Sequence, residues 1–411
     1  MANILMAWEL GGGRGHLERL RVIAGFLQAR GHSLSMVCNE PRPAHQVFHP
    51  LGIPVYPAPE LRRDWGAPAA TDSYAQLLLG CGYAKAPAVG AMLRAWRRGF
   101  ERLQPALVLA DFAPTAMLAA RLDGVRVAVI GQGYTLPPPT RPLPFTRAWE
   151  APPVERLALL DTAATASINA ALVDAAGPGV HRLAGLADLF DVDASFLCTF
   201  RELDHYVGRG EADYYGPVFG DSRGVAPEWP DQPGPRLFAY LNAAHPLFRT
   251  VVSALRQSGI PVLLYARGLA AAAVPEVAGS TLRVSLEPVH MQQVLADCDA
   301  VLCQGIGTVA AALLAGRPVL VAPEHLEQDM VTYRVHQQAL GVGLVPGATE
   351  EMVQAALRVV LDATLCRDRA VAFARYYHGF SPAMAAEAIA EICHDLCNDV
   401  ALRTTAVESA P

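Results

Sequence analysis

Short apolar runs rich in β-branched residues alternate with segments of helical period along this chain, and this alternation limits its fold more than any other feature. Residues 4–7 and 33–38 are predicted strands, and residues 17–30 between them have the period of a helix that ends at Gly31. A second unit of the same kind spans residues 106–130. Strand–helix–strand units build parallel sheets, so the first half of the chain is predicted to be a doubly wound α/β domain.

The alternation is interrupted once. Residues 216–235 are rich in Pro and Gly and have no sustained period, which is typical of a linker between domains. Strands and helices then resume, and 411 residues exceed the roughly 250 to 300 at which a single core stops growing. We therefore predict an N-terminal domain over residues 1–215, a C-terminal domain over residues 236–380 and a terminal helix over residues 381–403.

Composition and charge exclude several classes of protein. The net charge of -6 and the scattered Lys and Arg residues argue against nucleic acid as a partner. The eight cysteines form no C-x-x-C pair, no targeting signal precedes the first strand, and no apolar run reaches the ~20 residues of a transmembrane segment. We expect a cytoplasmic globular protein that acts on small molecules.

A glycine-rich loop, GGGRGH at residues 11–16, joins the first predicted strand to its helix. Gly12 and Gly13 let a ligand approach the backbone at the helix N-terminus. The dinucleotide fingerprint G-x-G-x-x-G does not fit, since it would need a glycine at position 16. His16 stands there instead, at the edge of the sheet where α/β domains bind ligands, and could act as a general base. Alternatively, it caps the helix.

Asp111 follows the predicted strand at residues 106–110 and emerges at the same edge as His16. A carboxylate in that position could orient the imidazole and balance its charge. The alternative is a cap for the helix that begins near Pro114. The two residues together predict a base and its orienting acid.

The second domain contains a similar loop, CQGIGT at residues 303–308, between a strand and a helix. The amides and the dipole of a helix N-terminus attract an anion, so phosphates are the natural ligand, although such turns also serve close helix packing. The next strand leads into residues 324–329, which carry three carboxylates and an amide. These side chains suit sugar hydroxyls, and an exposed acidic loop that is simply solvated is the alternative.

Taken in order, these segments resemble the UDP-glycosyltransferase superfamily and its bacterial members. The resemblance covers most of the chain and rests on ILMAWELGGGRGHLERL, VLADF, FLCTFRELDHY with YYGPV, and the long segment that begins EPVHMQQVLADCDAVLCQGIGT. It implies the GT-B fold, an α/β architecture of two Rossmann-like, doubly wound parallel-sheet domains facing a cleft. It also implies that the terminal helix crosses back to the N-terminal domain.

The resemblance implies a role for each candidate residue. His16 would deprotonate an acceptor hydroxyl and Asp111 would stabilise the imidazolium. The donor-binding set would comprise Gly12, Gly13, Pro288, Val289, Cys303, Gly305, Gly307, Thr308, Glu327 and Gln328, with Pro288 and Val289 against the base and Glu327 and Gln328 on the sugar. The reaction would be an inverting transfer from a nucleoside diphosphate sugar, UDP in the first instance, to a hydroxyl of a small-molecule acceptor. No cofactor or metal would be needed.

Two departures from the family keep other functions open. Cys303 stands where the family has a histidine on the phosphates, and Ala311 stands where it has a glutamate on the ribose. These losses suggest, as an alternative, a catalytically silent GT-B protein that binds a nucleotide sugar or supports a partner. A non-hydrolysing sugar-nucleotide epimerase is a further alternative. The aromatic residues Trp65, Tyr74, Tyr83 and Tyr134 hint at an apolar or ring-bearing acceptor.

Overall fold

A computed structural model of the chain describes residues 1–60, 71–220, 224–362 and 364–408, with side chains up to Asn398. The chain divides into two compact units. The first is formed by Met1–Gly220 together with Ser381–Pro411, and the second by Asp221–Phe380. Each unit holds a six-stranded sheet within its described residues, and every strand pair is parallel. The predicted α/β architecture of two parallel sheets is confirmed.

The strands predicted at residues 4–7 and 33–38 and within residues 106–130 are found to within one residue. The first unit contains β1 (Asn3–Trp8), β2 (Ser33–Cys38), β3 (Val55–Pro57), β4 (Leu107–Asp111), β5 (Arg126–Gly131) and β6 (Ala194–Leu197). The second unit contains β7 (Leu237–Asn242), β8 (Val262–Arg267), β9 (Leu282–Ser285), β10 (Ala300–Cys303), β11 (Val319–Val321) and β12 (Gly341–Gly343). Of these strands, β3, β6 and β12 were not predicted.

Helices connect successive strands. Up to residue 220 these are α1 (Arg14–Ala29), α2 (Pro41–Phe48), α3 (Tyr74–Leu78), α4 (Ala86–Leu103), α5 (Pro114–Asp123) and α6 (Val154–Ala176). The second unit adds α7 (Phe248–Gln257), α8 (Val274–Val277), α9 (Met291–Asp297), α10 (Ile306–Leu314), α11 (Leu326–Gln337), α12 (Glu350–Asp362) and α13 (Thr364–Tyr376), and the chain ends with α14 (Pro382–Glu408).

The order of the strands fixes where ligands can bind. The first sheet runs β3-β2-β1-β4-β5-β6 and the second runs β12-β11-β10-β7-β8-β9. In each sheet the chain reverses its direction of winding at one place, between β1 and β4 in the first sheet and between β7 and β10 in the second. Open parallel sheets bind ligands at the carboxyl ends of the strands at this switch point. The switch points therefore define two edges at which to look for a site.

Helix α1 begins earlier than predicted. Its N-cap is Gly13, whose φ of 102° is a conformation that residues with a Cβ rarely adopt, and its first residue is Arg14 rather than Leu17. His16 therefore lies in the first turn of the helix and not in the loop before it. The helix ends where expected, since Gly31 adopts a φ of 81° just beyond it.

The terminal helix α14 packs against α1 and belongs to the first unit. Ile389 and Cys393 are fully buried on it, and Arg30 at the end of α1 donates from Nε to Glu391 at 2.8 Å. The helix extends to Glu408, five residues past the predicted end at residue 403. The added residues contain neither Gly nor Pro, so the local sequence does not end the helix there.

The segment at residues 216–235 is not a free linker throughout. The first unit ends at Gly220 and the second begins at Asp221, inside the predicted segment. Val225 pairs with the chain at Val289 in the second unit: its amide donates to the Pro288 carbonyl at 2.9 Å, and its carbonyl accepts from the His290 amide at 2.8 Å. The later part of this segment is thus built into the second unit.

Among the described helices, α6 alone is long and apolar enough to cross a membrane by length and composition. Leu157, Ile168 and Leu172 on this helix are buried, and α6 packs along α4. The core helix of a globular domain meets the same criterion, and these buried side chains place α6 in the packing of the first unit.

Candidate active site

The carboxyl edge at the switch point of the first unit brings two predicted residues together. Strands β1 and β4 are neighbours, and their register sets Trp8 beside Asp111 at the end of each strand. The glycine loop after β1 then carries the chain into the first turn of α1, which contains His16. The imidazole Nδ1 lies 2.9 Å from Oδ1 of Asp111. Neither residue caps a helix, since the N-caps of α1 and α5 are Gly13 and Ala113.

A third residue completes this cluster. Arg19, one turn after His16 on α1, donates to Oδ2 of Asp111 from Nε at 3.1 Å and from Nη2 at 2.8 Å. Asp111 is fully buried, the Arg19 side chain is 6% exposed and the His16 side chain is 16% exposed. Only the histidine of the three is therefore open to a ligand.

The charge state of Asp111 follows from these partners. Burial acts to raise the pKa of its carboxyl, but Arg19 and His16 outweigh burial, and the pKa is lowered. The carboxylate is an acceptor only, so the proton on the imidazole must be at Nδ1, where it is donated to Oδ1. Whenever the imidazole carries this one proton, Nε2 has a free lone pair, which is the arrangement of a general base.

The glycine loop is shaped by a close approach to this imidazole. Gly11 has a φ of 76°, and a methyl group added to it would lie 3.2 Å from Cδ1 of Phe112 and 3.4 Å from Nε2 of His16. Phe112, directly after Asp111, has a φ of 49°, which is a strained conformation for a bulky residue. Its carbonyl accepts from the amide of Leu10 at 3.0 Å and so holds the loop in place.

The last residue of β1 and the residue directly after it, before the glycine loop, are buried; the first of them contacts the imidazole. The Trp8 ring stacks on His16, with the ring centroids 4.9 Å apart and the planes at 21°. Glu9 follows, is 4% exposed, and accepts from the Thr115 amide at 2.7 Å and from the Trp96 indole N–H. Burial raises the pKa of the Glu9 carboxyl to about 7 against the lowering effect of these hydrogen bonds.

The corresponding edge of the second unit carries the predicted phosphate loop. Strand β10 ends at Cys303, and Gly305 is the N-cap of α10. Methyl groups added to Gly305 or Gly307 would meet nothing within 4 Å, so the backbone faces open space there. The side chain of Thr308 is turned inward and buried. This loop can present amides and a helix dipole to an anion.

Side-chain hydrogen bonds join the strand ends at this edge. Gln304 accepts from the Asn242 amide at 2.7 Å and donates to the Glu324 carboxylate at 3.1 Å. The Glu324 amide in turn donates to Oε1 of Gln328 at 2.7 Å. The chain thus ties the ends of β7, β10 and β11 together. Gln328 and the half-buried Glu327 lie in the first turn of α11.

The other predicted donor residues are placed less favourably. Pro288 is exposed. The Val289 side chain is buried and packs inward, so it offers no surface on which the base of a nucleotide could lie. In the first unit, Gly12 lies beside a carboxylate, since a methyl group there would be 3.2 Å from Oε1 of Glu40. That negative charge disfavours a phosphate at Gly12, while Gly13 has nothing within 4 Å of an added methyl group.

Burial determines the protonation state of Cys303, the residue at the position where the resembled family has a histidine. Cys303 is fully buried, and burial raises the pKa of its thiol to about 12. The thiol is therefore neutral and offers no charge to a phosphate. In the described part of the chain, His, Cys, Asp and Glu side chains form no group of three or more that could hold a metal ion.

Two of the four aromatic residues assigned to the acceptor are buried. Tyr74 and Tyr83 are buried, and the Tyr83 hydroxyl lies 2.5 Å from that of Thr115. Tyr134 is partly exposed, and Trp65 lies outside the described residues. Tyr74 and Tyr83 lie in helical segments and are buried there, and a role for the four aromatic residues toward an acceptor stays a prediction.

Sequence reasoning missed Arg19, Glu9 and Gln304. Arg19 and Glu18 look like the polar face of an amphipathic helix, yet Arg19 points inward to Asp111. The only signal was its spacing, because a residue three positions after His16 lies on the same face of the helix. Glu9 and Gln304 had no signal beyond their place at the ends of strands.

No protein-family model matches this chain, and no curated protein matches it. Several solved structures do match. The calicheamicin glycosyltransferase CalG4 aligns with a TM-score of 0.70 at 19% identity, over 95% of this chain and 98% of that one. The glycotransferase of kitacinnamycin aligns with a TM-score of 0.68 at 20% identity, over 96% and 98%.

A third match is the spinosyn rhamnosyltransferase SpnG, with a TM-score of 0.67 at 17% identity, over 93% of this chain and 99% of that one. SpnG has also been solved in complex with the spinosyn aglycone and with thymidine diphosphate. At these identities the likeness concerns the fold. This chain has the two-unit GT-B fold of these proteins, as the sequence predicted.

Proposed function

We propose that this chain is an inverting glycosyltransferase, which transfers a sugar from a nucleoside diphosphate donor to a hydroxyl group of a small-molecule acceptor. One observation carries the proposal: a histidine whose Nδ1 lies 2.9 Å from Oδ1 of a buried aspartate with a lowered pKa, at the ligand-binding edge of its sheet. A fold shared with glycosyltransferases that act on natural products supports it.

In the proposed reaction, Nε2 of His16 takes the proton of the acceptor hydroxyl. The freed oxygen attacks the anomeric carbon of the donor sugar, and the bond between that carbon and the phosphate oxygen breaks. The nucleoside diphosphate leaves with the electron pair, and the configuration at the anomeric carbon is inverted. Asp111 stabilises the imidazolium that forms at His16, and a positioned base of this kind contributes about 10² to 10⁴ in rate.

The second unit would hold the donor. The amides and dipole at the N-terminus of α10 stabilise negative charge on the leaving diphosphate, with Gly305 and Gly307 leaving room for it. Glu327 and Gln328, in the first turn of α11, would bind the sugar hydroxyls. Beyond the donor, we propose no cofactor and no metal.

The nucleotide and the acceptor are proposed by class. The sequence resemblance favours a UDP-sugar, whereas SpnG was solved with thymidine diphosphate, so both nucleotides are candidates. SpnG was also solved with the spinosyn aglycone, and CalG4 is named for calicheamicin. We accordingly propose a hydroxyl-bearing natural-product aglycone as the acceptor.

A catalytically silent GT-B protein is the second candidate. It is favoured by the neutral, buried thiol at Cys303 and by Ala311, which leave the phosphate loop without a charged side chain at either family position. Such a protein would bind a nucleotide sugar or support a partner enzyme without transferring the sugar.

Ligand-induced thermal shift separates these candidates when it is combined with turnover. Wild type, His16→Ala and the control His181→Ala, an exposed histidine of the same unit, are scanned with UDP-, dTDP- and GDP-sugars. A donor at 100 times its Kd stabilises the native state by about 2.7 kcal/mol. We expect one donor class to raise the melting temperature of all three proteins.

Turnover with that donor and a panel of hydroxylated aglycones then tests the base. We expect transfer by wild type and His181→Ala and a loss of at least about 10²-fold in His16→Ala. Donor binding without transfer by wild type would favour the silent protein. If no nucleotide sugar stabilises wild type, the glycosyltransferase proposal is contradicted, and a silent GT-B protein that supports a partner enzyme becomes the favoured candidate.

A further inference from the structure

The two oxygens of the Asp111 carboxylate accept hydrogen bonds from different residues, and this arrangement gives Arg19 a role. Oδ1 accepts from Nδ1 of His16, while Oδ2 accepts both bonds from Arg19. Two N–H groups of a planar guanidinium on one oxygen fix the rotation of the carboxylate about its Cβ–Cγ bond. That rotation determines whether Oδ1 lies in line with the imidazole.

We propose that Arg19 is a positioning residue for the base, which holds Asp111 in line with His16 and keeps the imidazole unprotonated until substrate is present. This inference rests on the proposed function, in which His16 must begin each cycle as a neutral base. Arg19 does not touch the substrate in this proposal and acts only through the other two residues.

The charge of Arg19 acts on both Asp111 and His16. A guanidinium is always charged in proteins, so buried Arg19 neutralises Asp111 before His16 takes a proton. Nη2 of Arg19 also lies 3.3 Å from Nδ1 of His16, and a protonated imidazole would then face a cation at close range. Without Arg19, the imidazolium would be paired with an uncompensated buried carboxylate, which would stabilise it strongly.

The other groups around His16 and Asp111 do not supply the positive charge that Arg19 provides. Trp8 from β1 covers one face of the imidazole and carries no charge. Cys198, which follows β6, lies near Arg19 and Asp111, and burial raises the pKa of its thiol to about 12, so it stays neutral. Within the described residues, Arg19 on α1 and Asp111 on β4 are the charged groups bonded to His16.

A purely structural ion pair would predict something different. If Arg19 served only to neutralise a buried aspartate, its replacement would lower the free energy of unfolding, but the Nδ1 proton of His16 in the charge-conserving Arg19→Lys would exchange with solvent at the wild-type rate. The two roles therefore separate in a measurement on His16 itself, which needs neither donor nor acceptor.

NMR of protein labelled with ¹³C and ¹⁵N in the histidine rings provides that measurement, with the His16 signals assigned from a His16→Gln variant. We expect Arg19→Gln to move the midpoint of the His16 titration to higher pH by about one pH unit or more, because a unit charge 3.3 Å away is removed even if it acts through a water-like dielectric. Arg19→Lys keeps the charge and should leave the midpoint within a few tenths of a unit. An unmoved midpoint in folded Arg19→Gln would overturn the proposal.

Arg19→Lys tests the geometry separately, and it also serves if Arg19→Gln does not fold. A single ammonium cannot make the two-point contact with Oδ2, so the hydrogen bond from Nδ1 of His16 should be held less firmly. We expect the Nδ1 proton to exchange with solvent at least tenfold faster than in wild type. Equal exchange rates would refute the positioning role.

The outcome is independent of the proposed function. If wild type transfers no sugar, the glycosyltransferase assignment fails, yet the titration midpoint and the exchange rate still decide whether Arg19 sets the protonation and orientation of His16. If wild type is active, Arg19→Lys should lower kcat and leave KM for the donor unchanged, since the residue acts only on the base.

Discussion

The buried carboxyl of Glu9 should make the stability of the first unit depend on pH in an unusual direction. Its pKa is raised from the ordinary 4.5 to about 7, first by burial, with hydrogen bonds from Thr115 and Trp96 opposing the shift. Between these two pH values the folded protein binds more protons at Glu9 than the unfolded chain does. Stability contributed at this residue is therefore full below pH 4.5 and is lost as pH rises toward and through 7.

The magnitude follows from the two pKa values. With one pKa unit equivalent to about 1.4 kcal/mol, the free energy of unfolding should fall by about 2 to 3 kcal/mol at this residue between pH 5 and pH 8. Glu9→Gln removes the titration and keeps the shape of the side chain. The variant can lose stability at every pH, since one of its two oxygens becomes a donor, but that loss does not depend on pH.

Urea unfolding of both proteins at pH 5, 6, 7 and 8, followed by tryptophan fluorescence, measures the effect. Trp8 and Trp96 are buried in the first unit and report on it. The two proteins are compared by the difference in their free energies of unfolding at each pH. Histidines and other groups that titrate in both proteins cancel in this difference. Relative to Glu9→Gln, we expect wild type to lose about 2 to 3 kcal/mol in the free energy of unfolding as the pH rises from 5 to 8. Parallel pH dependences would refute the reasoning.

Three further substitutions test the site. Asp111→Asn leaves a buried guanidinium without its ion-pair partner and should cost about 3 to 5 kcal/mol in the free energy of unfolding at pH 7; a loss below 1 kcal/mol in urea titrations would contradict the buried pair. Gly11→Ala, forced into a φ of 76° beside the imidazole, should lose about 1 to 2 kcal/mol and most of its turnover, whereas Gly15→Ala, with nothing within 4 Å, should behave as wild type in both assays. Gly307→Asp places a negative charge at the phosphate loop and should weaken nucleotide-sugar binding at least tenfold by calorimetry; Gly279→Asp, on an exposed turn of the same unit, is the control and should bind normally.

The sequence predicted those features that follow from position along a strand. His16 and Asp111 each come after a short apolar strand, and all strands of a parallel sheet point their carboxyl ends to one edge. What the sequence does not contain is the order of the strands. The two residues meet because β4 lies directly beside β1, a consequence of packing over the whole unit.

The direction of side chains was harder to predict than the position of elements. Arg19 is charged and sits in an amphipathic helix, so it looks solvent-exposed until the buried carboxylate that attracts it is known. Tyr74 and Tyr83 hint in the sequence at a ring-bearing acceptor, but both side chains are buried. The Val289 side chain is likewise buried, and its backbone pairs with that of Val225, far earlier in the chain. In each case a partner distant in the sequence decides the outcome.

The division of the first unit between the two ends of the chain has a consequence for biosynthesis. Chains fold as they leave the ribosome, and whole domains generally fold as they appear. Here the stretch at residues 221–380 emerges complete while the first unit still lacks α14, its last element. The apolar face of α1 that receives Ile389 and Cys393 therefore stays uncovered through the synthesis of an entire second unit. Nascent chains of this protein should be clients of chaperones that bind exposed apolar surface, and translation that stops before Ser381 should yield products for degradation.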